Sequence, residues 1–327
     1  MSSKPLTNSS LNSNPLLLDG AQVLITGGDG FIGRRVRKLL ENYDVSVFSP
    51  AIEDCNLTTI EGVKLAFSCN PDVVIHLAAD VGGLGYLTEN STEILHNNLM
   101  MDLLVMRESC IHNVKRFIGV GSVNCYPSAS TPPYTEGDIW EGLPHESVLG
   151  YGISKRMSAL YCKMLRDSGR LNASTLILEG VFGPGDNFEE GISRVIPANI
   201  SRCIGAINSG DESITVWGSG KPIRDFLYVD DAARSILFVI DKVDSESIIN
   251  VSSGNPISIR ELIEAIAETT GFEGSIEWDS SKPDGQEIRF LSSRLISNLG
   301  FKVEKTLAEA LKDTVRWYNE SFITKKN

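Results

Sequence analysis

The chain has 327 residues, 42% of them hydrophobic, with 29 glycines and a formal net charge of -12. That length and apolar content support one large domain or two smaller ones without covalent staples, while the acidic balance offers no electrostatic footprint for nucleic acid or anionic lipid and argues against both as partners. Six cysteines (Cys55, Cys69, Cys110, Cys125, Cys162, Cys203) stand apart without a C-x-x-C pair, which fits neither a disulfide framework nor zinc spacing and predicts reduced thiols in a cytoplasmic protein without a metal.

Residues 1–20 read as a flexible tail, rich in Ser, Asn and Pro, in which Leu16-Leu17-Leu18 is too short for the apolar region of a signal peptide. The apolar run Gln22-Val23-Leu24-Ile25-Thr26 then reads as a strand stopped by glycines, and residues 31–40 resume with helical spacing and basic side chains. Further buried-strand candidates are residues 45–48, 73–77, 117–120 and 174–178, with helical stretches between them. This alternation predicts an α/β fold, a Rossmann-type doubly wound parallel sheet covered on both faces. Beyond about Phe182 the alternation loosens into turn-rich loops such as Gly183-Pro184-Gly185-Asp186-Asn187, and residues 205–213 look like a surface loop. The expected division is a dinucleotide-binding domain over 21–182, with returning segments near 223–255, and a smaller C-terminal α/β substrate-binding domain within 183–327.

Glycines at 27, 30 and 33 follow the first strand and open a helix, the context in which such a loop binds a dinucleotide. They permit a tight turn and let a pyrophosphate approach helix N-terminal amides, which makes Gly27, Gly30, Phe31, Ile32 and Gly33 candidate cofactor contacts. Ser49-Pro50 stands at the end of the second strand, where a carboxylate would grip the ribose diol of NAD. The balance therefore leans to NADP, with NAD left open. Arg34 and Arg35 could face a 2′-phosphate or solvent, and Asp54 could meet the adenine edge or cap a turn.

Tyr151-Gly-Ile-Ser-Lys155 places a phenol and an ammonium on one helix face, where the cation favours the ionised phenol. Reduction of a ketone needs a hydride donor, a group on the carbonyl oxygen and an acid beside it. Tyr151 fits the acid, Lys155 its electrostatic partner and nicotinamide-ribose ligand, and Ser122, just past an apolar strand, a hydrogen bond to the oxygen. A helix-surface pair is the alternative for Tyr151 and Lys155 alone. Of the four histidines, His76 reads as a satisfied core group, and only His145 could approach a substrate.

With these pieces in place the chain resembles the extended short-chain dehydrogenase/reductase family, the nucleotide-sugar epimerases, dehydratases and reductases, and within it the GDP-L-fucose synthase branch. The resemblance runs from Gln22 to Tyr318 and rests on Ala78-Ala79-Asp80-Val81-Gly82-Gly83, Asn97-Asn98, Cys125-Tyr126-Pro127, Gly185-Asp186-Asn187-Phe188, Val195-Ile196-Pro197-Ala198, Val216-Trp217-Gly218-Ser219-Gly220, Arg224-Asp225-Phe226-Leu227 and Ser281-Lys282-Pro283-Asp284-Gly285. It implies that Ala78 and Asn98 serve the cofactor or the backbone around it. It also implies that Arg202, Trp217, Arg224 and Lys282 hold the nucleotide diphosphate end of a nucleotide-sugar substrate, and that the protein is a homodimer through helices near 94–110 and 154–166.

Members of that branch epimerise with a cysteine two residues after the serine and a histidine before Val-Ile-Pro; here Asn124 and Arg194 stand there. An amide does not titrate, and a guanidinium stays protonated above about pH 12. Asn124 and Arg194 therefore become substrate-contact candidates without acid/base chemistry. Cys125 is an alternative acid/base, although a one-residue shift along extended backbone would turn it to the opposite face. Glu179-Gly180 replaces a Thr-Asn pair beside the sugar. The expected activity is NADP-dependent reduction of a nucleotide-linked 4-keto-6-deoxysugar, with GDP the expected nucleotide; a 4-epimerase or other nucleotide-sugar conversion with bound NAD(P) and a non-catalytic dinucleotide sensor are the alternatives.

Overall fold

A computed structural model describes residues 17–189, 192–282 and 284–323. Most of the expected tail, residues 1–16, lies outside the described residues, as does Pro283. Residues 17–20 form a turn in which Leu18 is fully buried, so the packed chain starts before the first strand.

The first half alternates regularly. β1 (Ala21–Thr26), α1 (Phe31–Leu40), β2 (Val45–Phe48), α2 (Ile60–Ala66) and β3 (Val73–His76) are followed by α3 (Leu84–Glu89), α4 (Ser91–Ile111), β4 (Arg116–Ser122), α5 (Leu149–Asp167) and β5 (Ala173–Leu178). The five strands expected from sequence are all present, with ends moved by two residues at most. The second half adds α6 (Val195–Ser209), β6 (Ser213–Trp217), β7 (Ile223–Arg224), α7 (Val229–Lys242), β8 (Ile248–Val251), β9 (Ile257–Ser258), α8 (Ile259–Thr270), β10 (Ser275–Asp279), β11 (Ile288–Arg289), α9 (Arg294–Asn298) and α10 (Leu307–Tyr318).

Six strands form one parallel sheet in the order β2-β1-β3-β4-β5-β8, with Thr26 beside His76 and Ser122 beside Leu178. Its neighbours in β1 show why both faces are covered: Val23 and Ile25 point into a core shared with Ile200, Ile236, Ile263 and Leu311, while Leu24 points oppositely to Val74, Val105, Phe117 and Cys162. The chain leaves β1 first toward β2 and then returns to β3 on its other side. A crevice consequently opens beyond the strands' C-terminal ends at that reversal. β8 shows that a late segment completes the sheet, while β6 with β10, and β7 with β9 and β11, make two small separate sheets.

One expectation is corrected. Residues 205–209 are not loop but the last turns of α6, because Ile196, Ile200, Cys203 and Ile204 keep a buried helical stripe until Gly210, at φ +77°, ends it. Among the described residues no helix is long and apolar enough to cross a membrane.

Candidate active site

β1 runs straight into the glycine turn. Gly27 has φ +68°, and a Cβ on it would stand 2.7 Å from the Ala78 amide nitrogen; one on Gly33 would stand 2.3 Å from the Gly27 carbonyl oxygen. Only hydrogen fits at either place. The turn therefore hugs the loop after β3, and the first turn of α1, which carries no acidic side chain, is left to an anion.

The resulting cleft, about 1430 Å³, is lined by the whole loop including Gly30, Phe31 and Ile32, and by Ala78, Ser122, Asn124, Tyr151, Arg194 and Arg289. It brings residues far apart in sequence onto one surface. Asn98 is fully buried beneath it, where its amide accepts from the Asp80 N–H and donates to the Asp80 carbonyl, each at 2.9 Å. It thus pins the 78–81 loop from behind. Asp54 is exposed and does not line the cleft; its neighbour Glu53 does.

The arginines of α1 settle differently from one another. Arg34 donates to the carbonyls of Asp29 and Gly185, while Arg35 donates to Pro184 and pairs with Asp230 at 3.3 Å, which ties α1 to the 184–185 turn. Arg37 instead lays its aliphatic chain beside Gly28 and pairs its guanidinium with the Asp29 carboxylate at 2.5 Å, and the buried Ser49 hydroxyl has no partner. An unpartnered hydroxyl therefore stands just past the end of β2.

Ser122 is the last residue of β4, and its hydroxyl accepts the Asn124 N–H at 3.3 Å. Tyr151 and Lys155 lie one turn apart on α5, 7% and 3% exposed. Burial pushes the Tyr151 phenol above its ordinary range, whereas Lys155 and the Ser122 hydroxyl pull it down and Asp102 pushes it up. The lysine acts in the direction expected, but desolvation is larger in the free protein. Lys155 Nζ itself lies 3.3 Å from buried Asp102, and both His76 ring nitrogens are engaged, by Thr26 and Asp102.

The departing positions are held by hydrogen bonds. Arg289 donates to the Asn124 side-chain oxygen at 2.6 Å, and Arg194 binds Asp186 at 2.8 Å with its guanidinium 5.5 Å over the Phe31 ring. Cys125 points into the core with its thiol pushed up to about 12 by burial. The reason corrects the extended-strand expectation, since residues 123–125 form a 3₁₀ turn rather than continuing β4. His145 does not line the cleft; it caps its own turn by accepting from the Ser147 N–H.

Of the residues expected at the nucleotide end, Trp217 is 68% exposed with Lys282 Nζ 5.3 Å over its ring. Arg224 donates to the Ile223, Gln286 and Glu287 carbonyls, and Arg202 to the Asn199 side chain at 2.6 Å. None of these four lines the same cleft as Tyr151. Two residues escaped sequence reasoning: Arg289, one arginine in a short alternating segment, and Asp102, whose available signal was an acid within the apolar run of α4.

Glu179 follows β5, is 1% exposed, and neither of its carboxyl oxygens has a hydrogen-bond partner. Burial pushes its pKa up from the ordinary 4.5 to about 8, against the pull of Arg289 and Arg224. The folded state therefore holds a proton that the unfolded chain releases, so this stabilising contribution is full below pH 4.5 and is lost as pH climbs through about 8. Glu179→Gln should flatten that dependence: between pH 5 and 8.5 the variant's Tm should fall by roughly 4 °C less than the wild type's. Parallel thermal melts check it, and identical slopes would mean that the carboxyl is ionised throughout.

Comparison with known proteins agrees with this geometry. Residues 23–252 match the model of the NAD dependent epimerase/dehydratase family. GDP-L-fucose synthase 1 of Arabidopsis thaliana is 31% identical over 300 residues, covering 91% of this chain and 93% of the relative. GDP-L-colitose synthase of Yersinia pseudotuberculosis is 26% identical over 94% of this chain and 99% of its own. The crystal structure of a GDP-L-fucose synthetase from Naegleria fowleri bound to NADP superposes with a TM-score of 0.84 at 28% identity, covering 99% of this chain and 98% of that one. A glycine turn that only glycine fits, a serine at the end of β4 and a Tyr-Lys pair on α5 thus occur in a chain that belongs to the NAD-dependent epimerase/dehydratase family, as an NAD(P)-dependent oxidoreductase acting on nucleotide sugars.

Proposed function

We propose that this protein is an NADP-dependent reductase of a GDP-linked 4-keto-6-deoxysugar that leaves the neighbouring ring carbons untouched. The observation that carries the reading is the cleft itself: Ser122 and Tyr151 line it together, while Asn124 and Arg194, the residues where epimerising relatives titrate, are an amide and a guanidinium engaged with Arg289 and Asp186. The relatives' names supply the GDP-sugar class, and the Naegleria fowleri enzyme supplies NADP.

The residues present fit that cofactor. The glycine cradle and the acid-free first turn of α1 suit a pyrophosphate, and the unpartnered Ser49 hydroxyl past β2 suits a 2′-phosphate oxygen. When bound, NADPH supplies a hydride to the ketone carbon. Tyr151 then gives its phenolic proton to the ketone oxygen, Ser122 donates a hydrogen bond to that oxygen, and the Lys155 ammonium stabilises the phenolate left behind. Trp217 with Lys282, Arg202 and Arg224 take the nucleotide diphosphate end, Ala78 and Asn98 shape the cofactor loop, and the residues beyond about 182 form the substrate-binding part.

We also infer a cytoplasmic homodimer through α4 and α5, whose Leu103, Ile111 and Met164 are exposed apolar side chains. A sedimentation mass of one chain would exclude it.

The test is incubation with GDP-4-keto-6-deoxymannose and NADPH in deuterated water. NADPH oxidation with no deuterium at C3 or C5 is the expected result. Deuterium at either carbon would show another acid/base pair at work, and absence of oxidation would shift the assignment to a different sugar nucleotide or to a 4-epimerase with tightly held dinucleotide.

A further inference from the structure

Behind the cleft lies a buried carboxylate that no step of the reduction consumes. Asp102 on α4 is 1% exposed, and its two oxygens stand 3.3 and 3.5 Å from Lys155 Nζ. Its Oδ1 also lies 2.8 Å from His76 Nε2 on β3, and His76 Nδ1 lies 2.6 Å from the Thr26 hydroxyl at the end of β1. All four side chains are at most 3% exposed. They form one line from the strand that carries the glycine turn to the lysine beside the phenol.

The hydrogen-bond directions follow from the groups. Burial alone would raise the Asp102 pKa, but the Lys155 ammonium, then His76 and Ser158, hold it below its ordinary value, so it is ionised and only accepts. His76 must then donate through Nε2. In the neutral ring that leaves Nδ1 as acceptor and Thr26 as donor, while the same Thr26 oxygen receives the Ala78 N–H at 3.3 Å. The carboxylate is thereby held from two sides and cannot turn away from the lysine.

A fully desolvated ion pair is a poor source of stability, because the cost of taking both charges out of water offsets most of their attraction. An apolar pair would pack as well. Without an anion, however, an ammonium in this position would favour its neutral form and swing freely on four methylenes.

We propose that Asp102, locked by His76 and Thr26, is a positioning residue that keeps Lys155 charged and aimed at Tyr151 and the cofactor ribose. It rests on the role assigned to Lys155 above. An ammonium has three N–H bonds, and the carboxylate takes up one side of it, leaving donors for the ribose. The charged or titratable groups facing the pair are His76 from β3, Tyr151 from α5 and, beyond the phenol, Arg194. Two consequences of removing the Asp102 charge share one sign. A Lys155 that stays protonated would acidify Tyr151, leaving less protonated phenol at high pH; a Lys155 that loses its proton would cease to stabilise the phenolate. Either way activity is lost at lower pH.

The experiment is Asp102→Asn, with Thr26→Val as a milder variant that loosens the line without touching the carboxylate. In Asp102→Asn, kcat for ketone reduction should fall ~100-fold, KM for the sugar nucleotide should change less than ~3-fold, and the alkaline limb of the kcat profile should move down by at least ~1 pH unit. Thr26→Val should shift kcat in the same direction by ~5-fold. An unchanged alkaline limb, with any rate loss matched by lost folded protein, would overturn the proposal. If Asp102→Asn does not fold, Thr26→Val and Asp102→Glu carry the same readouts, and wild-type profiles in both would overturn it. NMR titration of the Lys155 side chain needs no turnover: in Asp102→Asn it should release its proton, or disturb that of Tyr151, at lower pH than wild type. It therefore separates failure of this inference, in which neither titration moves, from failure of the proposed substrate, in which they move but no ketone is reduced.

Discussion

Tyr151→Phe is expected to lower kcat for ketone reduction by roughly 10³-fold while leaving NADPH binding within a factor of ~3. The change deletes one oxygen from a side chain that is 7% exposed and packed with Leu87, Ile94 and Val148, so the cavity it leaves is small and the fold should persist. The proton source for the ketone oxygen goes with that oxygen. Ser122 can still donate a hydrogen bond, but a serine hydroxyl is too weak an acid to complete the transfer. Stopped-flow NADPH oxidation separates the loss from binding, which fluorescence titration measures directly. Retention of more than a tenth of the wild-type kcat would remove Tyr151 from the role of acid.

Gly33→Val should abolish cofactor binding in the micromolar range, weakening NADPH by more than ~100-fold. The glycine's missing Cβ would lie 2.3 Å from the Gly27 oxygen and 2.6 Å from the Gly28 Cα, both backbone atoms that cannot rotate away. The turn must therefore open, and the amides at the start of α1 move off the pyrophosphate. Gly30→Ala meets one atom, the Gly27 oxygen at 3.0 Å, and should cost far less. NADPH fluorescence titration of both variants, with circular dichroism to verify folding, reads the difference. Wild-type affinity in folded Gly33→Val would mean that the pyrophosphate lies elsewhere.

Much of this molecule was legible in one dimension because its signals are local. The run from Gln22 to Thr26 reads as a strand because neighbouring apolar side chains face opposite sides of a sheet buried on both. Residues 31–40 read as a helix because Val36 and Leu40 return to one face while the arginines do not. The glycine spacing and the four-residue step from Tyr151 to Lys155 are likewise set by backbone geometry within a single element. Neutrality of the amide at 124 is a property of the residue itself.

Other features depend on partners far away in the chain. Residues 205–209 looked like loop until packing of α6 supplied the burial that outweighs its Gly, Asn and Ser content. Cys125 is kept from the cleft by a 3₁₀ turn that begins where β4 ends. Asn124 meets Arg289 across 165 positions, and Lys155 meets Asp102 across 53. Composition and motif thus specify the elements, the family and the kinds of chemistry present. The partner of each buried charge, and so whether it serves packing or reaction, is set by parallel pairing that brings the ends of β1, β3 and β4 together over α4 and α5, a long-range arrangement that no local pattern encodes.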